Sequence, residues 1–309
     1  MGVQLLVKTK DMTREDWLKW RRCGIGGSDV AAIAGLSKYR SPIGVWLDKT
    51  GQIEPDEAGE AAYWGTLHEE LIAQEFMKRT GMKVRRRNQM LQHSKYPWML
   101  ANLDRVVVGE SAFLECKTAS EYLKSSWEED KVPDAYMLQI QHYLAVTDLP
   151  SCYIAVLIGG NKFRHQRVDR DNELIDYIIT IEHDFWQLVA KRTPPEVDGS
   201  DASTELLNRL YPSADPGSVI LLPDEAKVLL KQYDEAKENL EHWENRKEES
   251  ENKIKLLMEN SEIAVLGDRK VTWKSVTSNR IDSKSLKKAH PDLYVQFTNR
   301  SESRRFIIK

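Results

Sequence analysis

The sequence predicts an α/β core, with helices flanking a central mixed sheet, followed by a C-terminal extension that is helical and then small α+β. Three observations carry this prediction. Two hairpin patterns, at 101–119 and 152–168, are separated by a helix-length stretch; long helical periodicities occupy 61–80 and 171–191; and the composition changes after Lys191. Strand pairs alternating with helices of this length need helical layers over the sheet. At 309 residues the chain exceeds one typical domain. We divide it into a core over 1–192, a linker over 193–221 and an extension over 222–309.

Composition excludes several classes. With 45 basic and 48 acidic residues the net charge is -3, which by itself favours neither nucleic acid nor membrane as a partner. Cys23, Cys116 and Cys152 lack C-x-x-C spacing, so no disulfide framework or thiolate metal site is expected, and a reducing cytoplasm fits. Neither a basic n-region with a sustained apolar stretch nor a run of 18 apolar residues occurs, so a soluble, non-exported protein is expected.

From the N-terminus, TREDWLKWRR (13–22) reads as a helix capped by Thr13 with Asp16 closing a capping box. In GIGGSDVAAIAGLS, Ser28 follows Gly26-Gly27 and is the expected N-cap of the next helix. Either Ser28 only caps, or it joins Arg21, one turn upstream, in holding an anion. Residues 61–80 carry Trp64, Leu67, Leu71, Ile72 and Phe76 at helical spacing, with Gly81 as a stop. On that helix Glu69 is turned toward the apolar face, where a carboxylate demands an Arg, a Lys or a metal ion. KVRRR (83–87) serves equally as a solvated edge strand or as a phosphate contact.

The hairpin ANLDRVVVGESAFLECKTA carries Asp104, Glu115 and Lys117 on apolar strands. Residues two apart share a face, so Glu115 and Lys117 project together and Leu114 and Cys116 pack behind. The Gly109-Glu110-Ser111 connection folds Asp104 back beside Glu115. Two converging carboxylates repel unless a cation neutralises them, and an all-oxygen cluster of Asp104, Glu115 and Glu69 suits Mg2+ or Mn2+ over zinc. From spacing alone, an ordinary Glu115–Lys117 pair serves as well. In PDAYMLQIQHYLAVTD, Pro133 suits a first helical turn, and Gln139 interrupts the apolar stripe of Tyr136, Ile140 and Tyr143. Its amide needs partners, either a metal site with its waters or a loop carbonyl. His142 lies off the stripe and is expected at the surface. Gly159-Gly160-Asn161 marks the turn of the second hairpin.

Beyond a Pro-, Ser-, Asp- and Gly-rich stretch, Pro223 to Glu262 reads as a long amphipathic helix or helix pair. Its 12 acidic against 7 basic residues argue against DNA contact and for packing on the core, a sister subunit or a partner protein. From Asp268 onward 11 basic face 4 acidic residues, and RKVTWKS reads as a strand.

Asp104, ten intervening residues and Glu115-Cys116-Lys117 form the D-x(n)-E-x-K pattern of the PD-(D/E)XK nuclease superfamily. In order along the chain, TREDWLKWRRCGIGGSDVAAIAGLS, WGTLHEE, LDR, LECKT and YMLQIQHYLAVTD resemble the YqaJ-like viral recombinase and lambda exonuclease family, over 13 to about 170. Leu103 stands where the superfamily has proline before the first aspartate, a position that shapes the strand end and binds nothing. The resemblance implies a restriction-endonuclease-like core. By position it makes Asp104, Glu115 and the Cys116 carbonyl metal ligands, with Glu69 supporting a second Mg2+ ion or its waters. Lys117 would position or help deprotonate the attacking water, Gln139 would close the site, and Arg21 and Ser28 would grip a 5'-phosphate. The implied activity is a Mg2+-dependent exonuclease, Mn2+ substituting, that degrades linear double-stranded DNA 5' to 3' and leaves 3' tails for a single-strand annealing protein. A homotrimer in a bacterial cell carrying phage or prophage genes is also implied. A structure-specific or nicking endonuclease of the same fold, or a noncatalytic DNA-binding scaffold for an annealing partner, would show many of the same residues.

Overall fold

The computed structural model describes residues 3–53, 59–128, 131–299 and 304–308. It resolves into two compact units, Met1–Tyr211 and Pro212–Lys309. In the first, the chain runs β1 (Gln4–Lys8), α1 (Arg14–Arg22), β2 (Ile25–Gly26), α2 (Gly27–Ile33), α3 (Pro42–Lys49), α4 (Glu60–Thr80), β3 (Val84–Arg85), β4 (Gln89–Gln92), β5 (Met99–Asn102), β6 (Arg105–Val107), β7 (Ala112–Ala119), α5 (Asp134–Thr147), β8 (Ser151–Ile158), β9 (Lys162–Asp169), α6 (Asn172–Ala190) and α7 (Asp201–Leu210).

A five-stranded mixed sheet, ordered β3-β6-β7-β8-β9, positions the site. Its strands are antiparallel except for β7 and β8, which run parallel and are joined by the crossover through α5. Period-two alternation splits β7 and β8 between two cores. Phe113, Cys152, Ile154 and Val156 pack with Ile140 and Leu144 of α5, whereas Leu114, Tyr153 and Ala155 pack with Ile72, Ala73 and Phe76 of α4. Both faces are covered, which is why SCYIAVLI is almost uninterruptedly apolar. A second sheet, β1-β4-β5-β2, lies in the same unit, and the chain passes from it to the first sheet between β5 and β6, at Leu103-Asp104.

Most elements follow the sequence reading. Thr13 caps α1 through the Asp16 N–H, Val84 and Arg85 of KVRRR form the short edge strand β3, and Gly159 and Gly160 take positive φ at the β8–β9 turn. Pro133 is the N-cap of α5 and not its first residue. Only the second half of α4 rests on the sheet: Ile72 and Phe76 are buried, but Trp64, Leu67 and Leu71 are exposed. Apolar spacing reports what a helix face offers, not how far a sheet extends beneath it.

The stretch read as linker is divided. Helix α7 lies within it yet packs on α3, burying Ala202 and Leu206, and the first unit ends at Tyr211. In the second unit the long acidic segment is one helix, α8 (Ala226–Met258), followed by the hairpin β10 (Ile263–Leu266) and β11 (Arg269–Thr272), then α9 (Ser283–Ala289) and α10 (Pro291–Gln296). Among the described residues no helix is long and apolar enough to cross a membrane.

Candidate active site

Strand β7 supplies two of the charged groups. Glu115 and Lys117 share the Phe113 side, toward α5, while Cys116 faces the α4 side with Leu114. Asp104 immediately precedes Arg105, which pairs with Leu114, so it stands level with Glu115 across the hairpin. Its Oδ2 accepts the Cys116 backbone N–H at 2.8 Å. Burial, and then the Glu115 carboxylate, push the Asp104 carboxyl well above the usual carboxylate range. The convergence expected of Asp104 and Glu115 is therefore present.

Glu115 is buried, and its Oε1 receives Lys117 Nζ at 2.8 Å and Gln139 Nε2 at 2.6 Å. The Gln139 Oε1 in turn accepts from Lys117 Nζ at 3.1 Å, closing a three-member ring. Gln139 thus satisfies the site and not a loop carbonyl. Lys117 also lies 5.2 Å from the Tyr136 ring centroid. Burial favours the neutral amine of Lys117, but Glu115 and Asp104 outweigh it and raise its pKa. Burial and the same carboxylates also raise the Cys116 thiol, which stays protonated.

Glu69 is only partly buried, its side chain 28% exposed, and its partner is a cation missed in the sequence. The nearly buried Arg105 pairs with Glu69, donates to Glu70 Oε2 at 2.9 Å and to the Asp104 carbonyl at 2.7 Å. Period two placed Arg105 on the α4 side of β6, a signal available once Asp104 and Val107 were set on opposite faces. Among the described residues no group of three or more His, Cys, Asp or Glu stands where it could hold a metal ion. Glu69 therefore does not complete a three-carboxylate cluster here. The pair Asp104 and Glu115 nonetheless fits a hard divalent cation. Both are oxygen donors, their proximity is unfavourable without positive charge, and Glu115 Oε2 is buried with no hydrogen-bond partner.

A second polar cluster adjoins this one. Arg21 Nη2 donates to Ser28 Oγ at 2.6 Å and to Asp29 Oδ1 at 3.1 Å. Ser28 is not the N-cap of α2; Gly26 is, and the Asp29 carboxylate reaches back to accept the Gly26 N–H at 3.1 Å. The Ser28 hydroxyl is freed from capping to face Arg21. Fully buried Asp29 also receives Arg40 Nη1 at 2.7 Å and the buried Lys49 Nζ at 2.7 Å. Burial opposes its charge, but Lys49, Arg21 and Arg40 hold its carboxyl far below the usual range. Gly27 lets α2 approach α5 closely: a Cβ there would lie 2.6 Å from the Tyr143 ring and 2.8 Å from Gln139 Cγ. Arg21 and Ser28 are thereby set beside the Gln139 end of the first cluster.

His142 is fully buried, not at the surface. Its Nδ1 meets Glu182 Oε1 at 2.6 Å and its Nε2 meets the Leu100 carbonyl at 2.8 Å. Helix α5 is wrapped by α2, α6 and the second sheet, so its polar side also lies inside the unit, and a one-stripe reading misses that.

A sequence model of the YqaJ-like viral recombinase domain matches residues 16–150. The chain is 43% identical over 310 residues to the uncharacterized protein YqaJ of Bacillus subtilis (strain 168), covering 99% of this chain and 97% of that protein. It is 23% identical to the uncharacterized protein R354 of Acanthamoeba polyphaga mimivirus, over 62% of this chain and 33% of that protein. Among solved structures, LHK-Exo in complex with dAMP aligns with TM-score 0.50 and 20% identity, covering 63% of this chain and 97% of that one. LHK-Exo is an alkaline exonuclease from Laribacter hongkongensis. At that identity the likeness is one of fold, and the fold is restriction-endonuclease-like.

Proposed function

The chain belongs to the YqaJ-like viral recombinase family, and from that premise we propose that it is a Mg2+-dependent exonuclease that degrades linear double-stranded DNA 5' to 3' and leaves 3' single-stranded tails. The observation that carries this reading is the buried meeting of Asp104 and Glu115 against Lys117 and Gln139, with one Glu115 oxygen left without a partner. The fold shared with an alkaline exonuclease, whose structure is known with dAMP, supports it.

In this reading Asp104, Glu115 and the Cys116 carbonyl hold Mg2+ or Mn2+, and Glu69 serves a second ion or its waters, sharing its carboxylate with Arg105. When bound, the cation supplies the positive charge that eases deprotonation of water and steadies the leaving 3'-oxygen. Lys117 keeps a further positive charge beside the water's approach, and Gln139 fixes it there by tying its ammonium to Glu115. Arg21 and Ser28 grip the 5'-phosphate of the strand being shortened. A ring of three subunits, a single-strand annealing protein on the 3' tail, and action in the cytoplasm of a bacterium carrying phage genes belong to the same proposal.

A time course on end-labelled linear duplex with Mg2+, comparing wild type with Lys117→Ala, tests it. We expect release of 5'-labelled mononucleotides by the wild type and a loss of about 10²–10⁴-fold in the variant. Cleavage of a covalently closed circle at a similar rate would replace the exonuclease by an endonuclease, and an unchanged rate in Lys117→Ala would remove the site.

A further inference from the structure

The cluster around Asp29 holds more positive charge than one aspartate can answer. Asp29 Oδ1 is shared by two guanidinium groups, Arg21 Nη2 at 3.1 Å and Arg40 Nη1 at 2.7 Å, so one buried oxygen fixes the spacing of both. Its Oδ2 takes Lys49 Nζ at 2.7 Å, and Lys49 in turn donates to the Arg21 carbonyl at 3.0 Å. Asp48 holds the other arm of Arg40 at 2.7 Å and Arg22 Nε at 3.3 Å. Four basic side chains, Arg21, Arg22, Arg40 and Lys49, are thus woven around two carboxylates; burial lowers the Lys49 pKa, and the three arginines alone already outnumber the carboxylates. Arginine does not shed its proton to relieve such crowding. Arg21 and Arg40 are partly exposed and line one cavity of about 530 Å³, together with Arg14, Trp17 and Tyr39.

An internal phosphodiester carries one negative charge, whereas a phosphate monoester carries about −1.5 to −2 near neutral pH. A net positive, partly desolvated pair of guanidinium groups therefore favours the monoester over the diester, because charge-assisted contacts strengthen with the charge of the acceptor. We propose that Arg40 is a second ligand of the terminal phosphate, paired with Arg21 across Asp29, and that this two-guanidinium clamp selects DNA ends bearing a dianionic 5'-phosphate monoester. Asp29 is its positioning residue. The inference rests on the 5'-phosphate role proposed for Arg21 and Ser28, and adds the residue and the charge that set specificity. Arg40 lies 19 residues from Arg21 along the chain, and only the fold places them on one oxygen.

The test uses the full chain with Mg2+ on three otherwise identical linear duplexes ending in a 5'-phosphate, a 5'-methylphosphate diester, or a 5'-hydroxyl. The readout is the ratio of degradation rates between ends, which general destabilisation does not move. The wild type should prefer phosphate over methylphosphate and methylphosphate over hydroxyl. Arg40→Gln should reduce the phosphate-to-methylphosphate ratio by about tenfold, and Arg40→Lys, which keeps the charge without the fork, should fall between. If Arg40→Gln keeps the wild-type ratio while Arg21→Gln loses its phosphate preference, the clamp is refuted and the Arg21 reading stands. If the wild type itself does not distinguish phosphate from hydroxyl, the 5'-phosphate role and the clamp fail together. Should Arg40→Gln not fold, a wild-type ratio in Arg40→Lys overturns the forked contact.

Discussion

Gly27→Ala is a small change with a calculable consequence. Gly27 is buried as the first residue of α2, and its backbone lies outside the left-handed region, so alanine carries no conformational penalty there. Its only cost is space. The added Cβ would lie 2.6 Å from Tyr143 Cε1, 2.9 Å from Tyr143 Cζ and 2.8 Å from Gln139 Cγ, where ordinary contact begins at 3.4 Å. All three atoms belong to α5, so relief requires α2 and α5 to separate, or Gln139 and Tyr143 to turn, by roughly 0.5–1 Å, a shift typical of overpacked cores. Overpacking of this kind costs about 1–3 kcal/mol, offset by up to about 1 kcal/mol from the better helix propensity of alanine. The larger effect is on rate. Gln139 bridges Glu115 and Lys117 at 2.6 and 3.1 Å, and a misplacement of about 1 Å in such a constellation costs on the order of 10²-fold. Urea unfolding and single-turnover degradation of linear duplex read the two effects separately. Gly24→Ala serves as a control, since its Cβ would meet the Trp98 carbonyl at 2.5 Å and the Leu100 side chain, neither of them in the ring of Glu115, Lys117 and Gln139. It should destabilise at least as much while losing less rate. A folded Gly27→Ala protein with a rate within about twofold of wild type would refute the claim that this close approach positions Gln139.

Other consequences are equally direct. Asp29→Ala leaves the buried Lys49 ammonium without its carboxylate and should destabilise the first unit by about 3–5 kcal/mol, with part of the loss recovered in Asp29→Ala/Lys49→Met; additive losses in a urea-unfolding double-mutant cycle would show that the two are not coupled. Burial disfavours the His142 imidazolium, but Glu182 outweighs it and raises its pKa; burial also raises the Glu182 carboxyl, so the pair binds a proton more tightly folded than unfolded. Its stabilisation is complete below the unfolded histidine value of about 6.5 and is lost as pH rises through the folded one. Denaturant midpoints should accordingly fall with pH above about 6.5 in the wild type and less steeply in Glu182→Gln; parallel slopes would count against the shared proton. Mg2+ at about 100 times its Kd should raise the unfolding free energy by about 2.7 kcal/mol. The rise should be absent in an Asp104→Asn/Glu115→Gln double variant, and an equal rise there would place the cation elsewhere.

The charged hairpin was legible in the letters because a strand has period two: Glu115 and Lys117 had to share a face, and a short glycine turn had to return Asp104 beside them. Helix boundaries were legible where a side chain caps them, as at Thr13, and misjudged at Ser28, which lies inside α2 because the helix already starts from the Gly26 cap. The partners of those groups were not legible. That Glu69 is answered by Arg105, that Asp29 gathers Arg21, Arg40 and Lys49, and that His142 is buried against Glu182 all depend on pairs up to 40 residues apart. Periodicity constrains the direction of a side chain relative to its own backbone, and so determined which groups could carry chemistry here. The packing of α2, α4 and α5 around the sheet decided which of them meet, because the cost of an unpaired buried charge is settled only when distant segments come into contact.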